Sequence, residues 1–70
     1  MAKKLPIGNR VKELREQQGM TQSELGEKVS VTRQTVAAIE KRSYSPSLET
    51  AFRIAQVFDV TLDALFFWDE

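Results

Sequence analysis

Residues 21–42 have the sequence TQSELGEKVSVTRQTVAAIEKR, which carries the strongest structural signal in the chain. The stretch begins with a capping box, because the Thr21 hydroxyl and the Glu24 carboxylate can each accept a hydrogen bond from a free amide at a helix start. The first helical pattern ends at about Val29, and a second N-cap residue, Thr32, follows after only two intervening residues. The stretch therefore predicts two short helices joined by a tight turn.

A turn as short as Ser30-Val31 forces the two helices to cross steeply, as in a helix-turn-helix. The second helix is predicted to run to about Lys41, with Val36 and Ile39 facing the core. Because an α-helix turns by about 100° per residue, Gln34 and Lys41 then face outward together with the small Ala38.

This outward face allows two interpretations. Gln34 and Arg33 stand near the helix N-terminus, where glutamine can pair with adenine and arginine with guanine in a DNA major groove. The alternative is that Arg33, Gln34 and Lys41 are ordinary solvated helix residues. The helical periodicity alone leaves both interpretations open.

The rest of the chain predicts three more helices packed with the first two. They cover about residues 8–18, a segment capped by Ser47, and a segment capped by Thr61. Helices this short are stable only when packed together, so we expect one all-α domain of five helices over residues 1–70. Phe66-Phe67-Trp68 has β-propensity, and we expect a short pairing with Lys3-Lys4-Leu5. The expected core consists of Ile7, Val11, Leu14, Leu25, Val29, Val36, Ile39, Leu48, Ala51, Ile54, Ala55, Phe58, Leu62, Leu65 and Phe66.

The composition of the chain argues against several function classes. It contains neither cysteine nor histidine, and its acids are scattered, so we expect no enzymatic activity, no cofactor and no metal site. The net charge is zero but polarised: residues 1–42 carry nine Lys/Arg against five Asp/Glu, and residues 43–70 carry one Arg against five acids. The basic half can face phosphate. No apolar run approaches the roughly 18 residues that span a bilayer, so we expect no membrane partner and a cytoplasmic protein.

The order of residues resembles that of the phage-repressor-like (Xre-type) helix-turn-helix family of transcriptional regulators. The resemblance is carried by GMTQSEL (residues 19–25), VTRQTV (31–36), IE (39–40) and YSPSLET (44–50), and it extends from about Ile7 to Leu65. Within the family, the chain is most similar to short stand-alone members whose recognition helix begins Arg-Gln-Thr. The resemblance implies a lambda-repressor-like fold and binding to double-stranded DNA in a prokaryotic nucleoid.

The resemblance also implies roles for individual residues. Arg15 and Glu40 match the positions of a buried ion pair between the first and third helices. Base contacts are expected from Thr32, Arg33, Gln34 and Ala38. Phosphate contacts are expected from Arg10, Gln22, Thr35, Lys41, Arg42, Ser43 and Tyr44.

The chain departs from the family where glycine is common. Ser30, Arg42 and Asp59 stand where the family often has a glycine with positive φ, and each would then cost on the order of 1 kcal/mol. Conversely, Gly26 lies inside the second helix, where alanine is usual and glycine costs about as much.

A single small domain contacts too few bases to find one site in a genome, so we expect a homodimer that recognises a near-palindromic operator, as a repressor. The apolar surplus away from the recognition helix is C-terminal, which predicts Leu62, Phe67 and Trp68 in the dimer interface. The alternative function is a DNA-binding antitoxin that neutralises a toxin protein through the same C-terminal segment.

Overall fold

Five helices and a small antiparallel sheet form the described part of the chain, residues 4–69, in a computed structural model. This arrangement confirms the predicted five-helix fold with a short terminal β pairing. The elements follow the order β1 (Ile7–Asn9), α1 (Val11–Gln17), α2 (Gln22–Val29), α3 (Arg33–Glu40), α4 (Leu48–Phe58), α5 (Leu62–Leu65) and β2 (Phe66–Trp68).

The helices begin where the sequence predicts N-caps. At α2 the capping box is complete: Glu24 N donates to Thr21 Oγ1 at 3.0 Å, and Thr21 N donates to Glu24 Oε1 at 2.8 Å. The hydrogen bond from the Thr21 backbone amide lowers the pKa of Glu24. Thr32 and Ser47 likewise accept bonds from amides of the first turns of α3 and α4. Thr61 occupies the N-cap position of α5, but its side chain makes no capping bond.

Helices α1 to α4 each end in a residue with left-handed backbone geometry. These residues are Gly19, Ser30, Arg42 and Asp59, with φ of 65°, 63°, 61° and 56°. The amide that follows each of them bonds back to a carbonyl five residues earlier in the chain, as in a Schellman motif. The three non-glycine positions at which the family often has glycine therefore have positive φ in this chain.

The core lies where the five helices meet, and most of the predicted core residues are in it. Its buried members are Val11, Leu25, Val29, Val36, Ile39, Ile54, Ala55, Phe58 and Leu65.

Two predicted core residues, Ile7 and Leu48, are instead 39% and 69% exposed. Ile7 belongs to β1 because helix α1 begins only at Val11, three residues later than predicted. Leu48 directly follows the cap of α4, so it lies in the first turn, at the edge of the core.

The sheet pairs β1 with β2 in antiparallel register, with Ile7 opposite Trp68 and Gly8 opposite Phe67. The predicted pairing of Phe66-Phe67-Trp68 with Lys3-Lys4-Leu5 is wrong for Lys4 and Leu5, because the paired strand begins at Ile7. Lys3 lies outside the described residues. At Gly8 a Cβ would lie 2.5 Å from Phe67 Cε1, so a larger residue there would require the Phe67 ring to move.

Gly26 also has a steric reason that the sequence did not reveal. A Cβ at this position would lie 2.6 Å from the carbonyl oxygen of Val31. The turn between α2 and α3 therefore passes close over the backbone of α2. The absence of a side chain at Gly26 permits this close packing, which compensates for the lower helix propensity of glycine relative to alanine.

Asp59→Gly should raise the thermal unfolding midpoint by a few degrees. The variant relieves left-handed strain of about 1–2 kcal/mol, which exceeds the roughly 0.4–1 kcal/mol that added freedom of the unfolded chain costs. Thermal unfolding followed by circular dichroism measures the shift. Gly19→Ala is the control and should lower the midpoint, since it adds a Cβ at φ 65°. A lower midpoint for Asp59→Gly would contradict the prediction.

Candidate nucleic-acid interface

The outward face of α3 combines exposed polar side chains with small apolar ones. Thr32, Arg33 and Gln34 are exposed at its N-terminal end, and Ala37 and Ala38 are half-buried behind them. Residues 32–38 include no acid. The face can therefore approach a polyanion closely, with hydrogen-bonding groups at its leading end.

Hydroxyl groups hold the N-terminal end of α3 in place. Thr32 Oγ1 accepts a bond from Thr35 N at 3.1 Å and lies 3.1 Å from Thr35 Oγ1. These bonds order the first turn while the side chains of Arg33 and Gln34 stay in solvent. Of the predicted contacts in this turn, Thr35 is the one that is half-buried.

The residues after α3 form a second exposed group. Lys41 and Ser43 are exposed, and Tyr44 is 49% exposed. Ser43 is held by its backbone amide and its hydroxyl, which both donate to the carbonyl oxygen of Ala38, at 3.0 and 3.2 Å. The structure therefore brings these three predicted phosphate contacts close to the C-terminal end of the helix.

Arg42 departs from this group. Its guanidinium donates to the Leu5 carbonyl oxygen from Nη2 at 2.6 Å and to Asp69 Oδ2 from Nη1 at 2.8 Å. Its side chain is only 17% exposed. The predicted phosphate contact is not favoured by this arrangement, because the guanidinium already serves groups of the chain itself.

A buried ion pair fixes α3 against α1. Arg15 Nε donates to Glu40 Oε2 at 2.7 Å, with the two side chains 11% and 5% exposed. Arg15 Nη1 also donates to the Met20 carbonyl oxygen, and Gln22 Nε2 donates to Glu40 Oε1 at 3.1 Å. The hydrogen bond to Glu40 raises the pKa of Arg15. The ion pair links α1 to α3, in agreement with what the resemblance implies for Arg15 and Glu40, and the bond from Gln22 adds the start of α2.

Gln22 and Arg10 lie at helix starts outside α3. The side chain of Gln22 is occupied by Glu40, whereas its backbone amide belongs to the first turn of α2, where amides point out of the positive end of the helix. Arg10 is exposed at the N-cap of α1, and its amide donates to the Leu65 carbonyl oxygen at 2.9 Å. Both can take part in phosphate binding, Gln22 through its backbone.

An exposed apolar surface lies away from the outward side of α3. We call its residues Leu48, Leu62, Phe67 and Trp68 the apolar face. Of the predicted interface residues, Phe67 and Trp68 are 42% and 68% exposed, and Leu62 is half-buried. A groove of about 260 Å³ opens beside them, between the sheet, the loop after α3, α4 and α5. Sequence reasoning missed Leu48, which lines this groove. Its position directly after the helix cap was the available signal.

The chemistry of the exposed α3 face is that of hydrogen bonding and charge. Its groups are amide, hydroxyl, guanidinium and ammonium. Among residues 4–69, no three His, Cys, Asp or Glu side chains are grouped so that they could hold a metal ion. Within the same range, no helix has the length and apolar character needed to cross a membrane.

Comparison with known proteins agrees with this geometry. A family model described as helix-turn-helix matches residues 11–65. The chain is 52% identical over 62 residues to the uncharacterized HTH-type transcriptional regulator YgzD of Bacillus subtilis, covering 89% of this chain and 94% of YgzD. It is 46% identical over 61 residues to a regulator of the same description from Archaeoglobus fulgidus, covering 87% of each chain. The immunity repressor of Bacillus phage phi105 is 33% identical over 61 residues, which are 87% of this chain and 42% of that repressor.

Among solved structures, the P22 c2 repressor in complex with a synthetic operator has a similar fold, with a TM-score of 0.75 at 20% identity. The match covers 77% of this chain and 82% of that one. The family model and the relatives from Bacillus subtilis and Archaeoglobus fulgidus show that the chain belongs to the helix-turn-helix family of transcriptional regulators.

Arg15→Ala should lower the free energy of unfolding by about 3 kcal/mol, because it leaves the Glu40 carboxylate buried without its partner. Chemical denaturation with urea measures the loss. Arg53→Ala is the control: its pair with Glu49 is exposed, at 47% and 75%, and should be worth less than about 1 kcal/mol. Equal losses for the two variants would contradict a structural role for the buried pair.

Proposed function

We propose that the chain represses transcription by binding a near-palindromic operator as a homodimer, with α3 in the major groove of each half-site. The outward face of α3 carries this proposal. Its leading end offers Arg33 and Gln34, which suit guanine and adenine edges, and Thr32 adds a hydroxyl. Ala38 is small enough to let the helix enter the groove and can contact a thymine methyl.

Phosphate binding would come from the surroundings of α3. Lys41, Ser43 and Tyr44 follow the helix, Thr35 flanks its first turn, and the Gln22 amide faces outward from the start of α2. Arg10 adds a further cation. Such contacts supply affinity and register without sequence information. The basic first half of the chain supports this placement despite a net charge of zero.

The apolar face supports a second copy of the chain as partner. Large apolar groups as exposed as Trp68, Leu48 and Phe67 mark interaction surfaces when they are contiguous. A two-fold axis through this face would pair two α3 helices, and recognition of successive major grooves requires about 34 Å between them. The antitoxin hypothesis uses the same surface, and no observation favours it over the homodimer.

Gln34→Ala should weaken operator binding by about 1–3 kcal/mol and relax base preference at one position of each half-site, because it removes a base contact. Lys41→Ala should instead weaken binding to all DNA about equally and reduce the salt slope by about 1. The measurement is a binding titration at several salt concentrations, on an operator selected with the wild-type chain from random DNA. A Gln34→Ala variant with unchanged affinity and preference would disprove the groove-facing assignment.

Trp68→Ala should shift the chain from dimer toward monomer and weaken operator binding while leaving the helical content unchanged. The reason is that Trp68 is the most exposed aromatic residue on the apolar face. Analytical ultracentrifugation gives the oligomeric state, and circular dichroism checks the fold. Gln56→Ala, an exposed polar position on α4, is the control and should stay dimeric. A wild-type chain that is monomeric and binds only single half-sites would disprove the homodimer.

A further inference from the structure

Arg42 joins three parts of the chain that are far apart in sequence. It follows α3 directly, and its side chain reaches Leu5, before β1, and Asp69, after β2. Nε and Nη2 donate to the Leu5 carbonyl oxygen at 3.1 and 2.6 Å. Nη1 donates to Asp69 Oδ2 at 2.8 Å, and Nη2 to the Asp69 carbonyl oxygen at 3.2 Å.

Backbone bonds complete the same junction. Leu5 N donates to the Arg42 carbonyl oxygen at 3.0 Å, and Asp69 N donates to the Pro6 carbonyl oxygen at 2.7 Å. Leu5 and Arg42 are therefore bonded in both directions. We call the group of Arg42, Leu5 and Asp69 the Arg42 clasp. It closes the open end of the sheet against the end of α3.

We propose that Arg42 is a positioning residue for operator recognition: through the Arg42 clasp it holds α3 at a fixed orientation to the sheet. The inference rests on the proposed function, because the sheet carries Trp68 of the apolar face. If two copies associate through that face, the clasp is the direct connection between the dimer interface and the recognition helix. It would then help to set the distance between the two α3 helices on DNA.

The backbone of Arg42 supports a role for its side chain. Its φ of 61° would suit glycine, and a non-glycine residue there costs on the order of 1 kcal/mol. A guanidinium gives several donors in one plane, which a carbonyl and a carboxylate can share, whereas the ammonium of lysine is a point charge. The bonds of the clasp therefore offset the backbone strain and use the particular shape of arginine.

The two possible roles of Arg42, positioning α3 or contacting phosphate, predict different effects of Asp69→Asn on DNA binding. If Arg42 served DNA phosphate and Asp69 merely restrained it, Asp69→Asn would free the guanidinium and tighten DNA binding, with a salt slope steeper by about 0.9. If Arg42 positions α3, Asp69→Asn loosens the clasp. Preference for the wild-type half-site spacing then falls, and the salt slope stays the same.

The test compares Asp69→Asn and Arg42→Lys with wild type on the selected operator and on the same operator with one base pair inserted between the half-sites. Both variants should lose at least about fivefold of the spacing preference, the lower end of typical coupling between sites. Single half-site binding should be unchanged. Asp59→Asn, which removes another exposed acid and lies away from the apolar face, is the control for charge and should keep the spacing preference.

Amide hydrogen exchange without DNA tests the clasp separately from the proposed function. Exchange at the amides of Leu5 and Asp69 should accelerate several-fold in both variants, while the amides of α3 keep their protection. Unchanged exchange at both amides would overturn the inference, as would tighter operator binding by Asp69→Asn than by Asp59→Asn. If the wild-type chain fails to bind DNA, the proposed function fails, and the exchange result still decides whether the clasp exists.

Discussion

The buried ion pair between Arg15 and Glu40 is the interaction on which the position of α3 depends. Helix α3 has eight residues, too few to be stable alone. Its inward face contributes Val36 and Ile39 to the core. This packing opposes separation of α3 from the core, but it is less effective against rotation of α3 about its axis or sliding along it. The ion pair adds direction, because the guanidinium meets both carboxylate oxygens of Glu40. Since Glu40 also accepts a bond from Gln22, the same carboxylate sets α3 relative to both α1 and α2.

Such a buried pair adds little net stability but penalises every arrangement that separates it. In a chain of 70 residues with a small core, hydrophobic packing alone would leave several helix orientations close in energy. Polar groups that can form their hydrogen bonds in only one geometry stabilise one of these helix orientations over the others. Among residues 4–69, no buried side-chain nitrogen or oxygen is without a hydrogen-bond partner. The polar network therefore provides specificity, because its buried groups are satisfied in this arrangement of the helices and would lose partners in another.

Local chemistry made much of this fold predictable. The capping box at Thr21, the caps at Thr32 and Ser47, and the positive φ at Ser30 and Asp59 follow from interactions within five or six residues. The register of β1 with β2 does not, because it is set between residues as far apart in sequence as Gly8 and Phe67. The bonds of the Arg42 guanidinium could not be predicted for the same reason, because Leu5 and Asp69 are far from it in sequence. The exposure of Leu48, in contrast, follows from its place in the first turn of α4. The outward positions of Arg33, Gln34 and Ala38 could be predicted from the helical period, whereas their contacts with bases stay a prediction.

Arg42 shows that the sequence neighbours of a side chain do not determine its contacts. It stands between Lys41 and Ser43, which are exposed, and the resemblance implies phosphate contacts for all three. However, a cation that is 17% exposed and shared between a carbonyl and a carboxylate gains less from a phosphate than an exposed lysine does, because binding DNA would first break those bonds. Lys41 has no such cost as an exposed residue. In the complex that we propose, the two neighbouring cations therefore have different tasks: Lys41 would attract the DNA backbone, and Arg42 would hold the helix from which Lys41 projects.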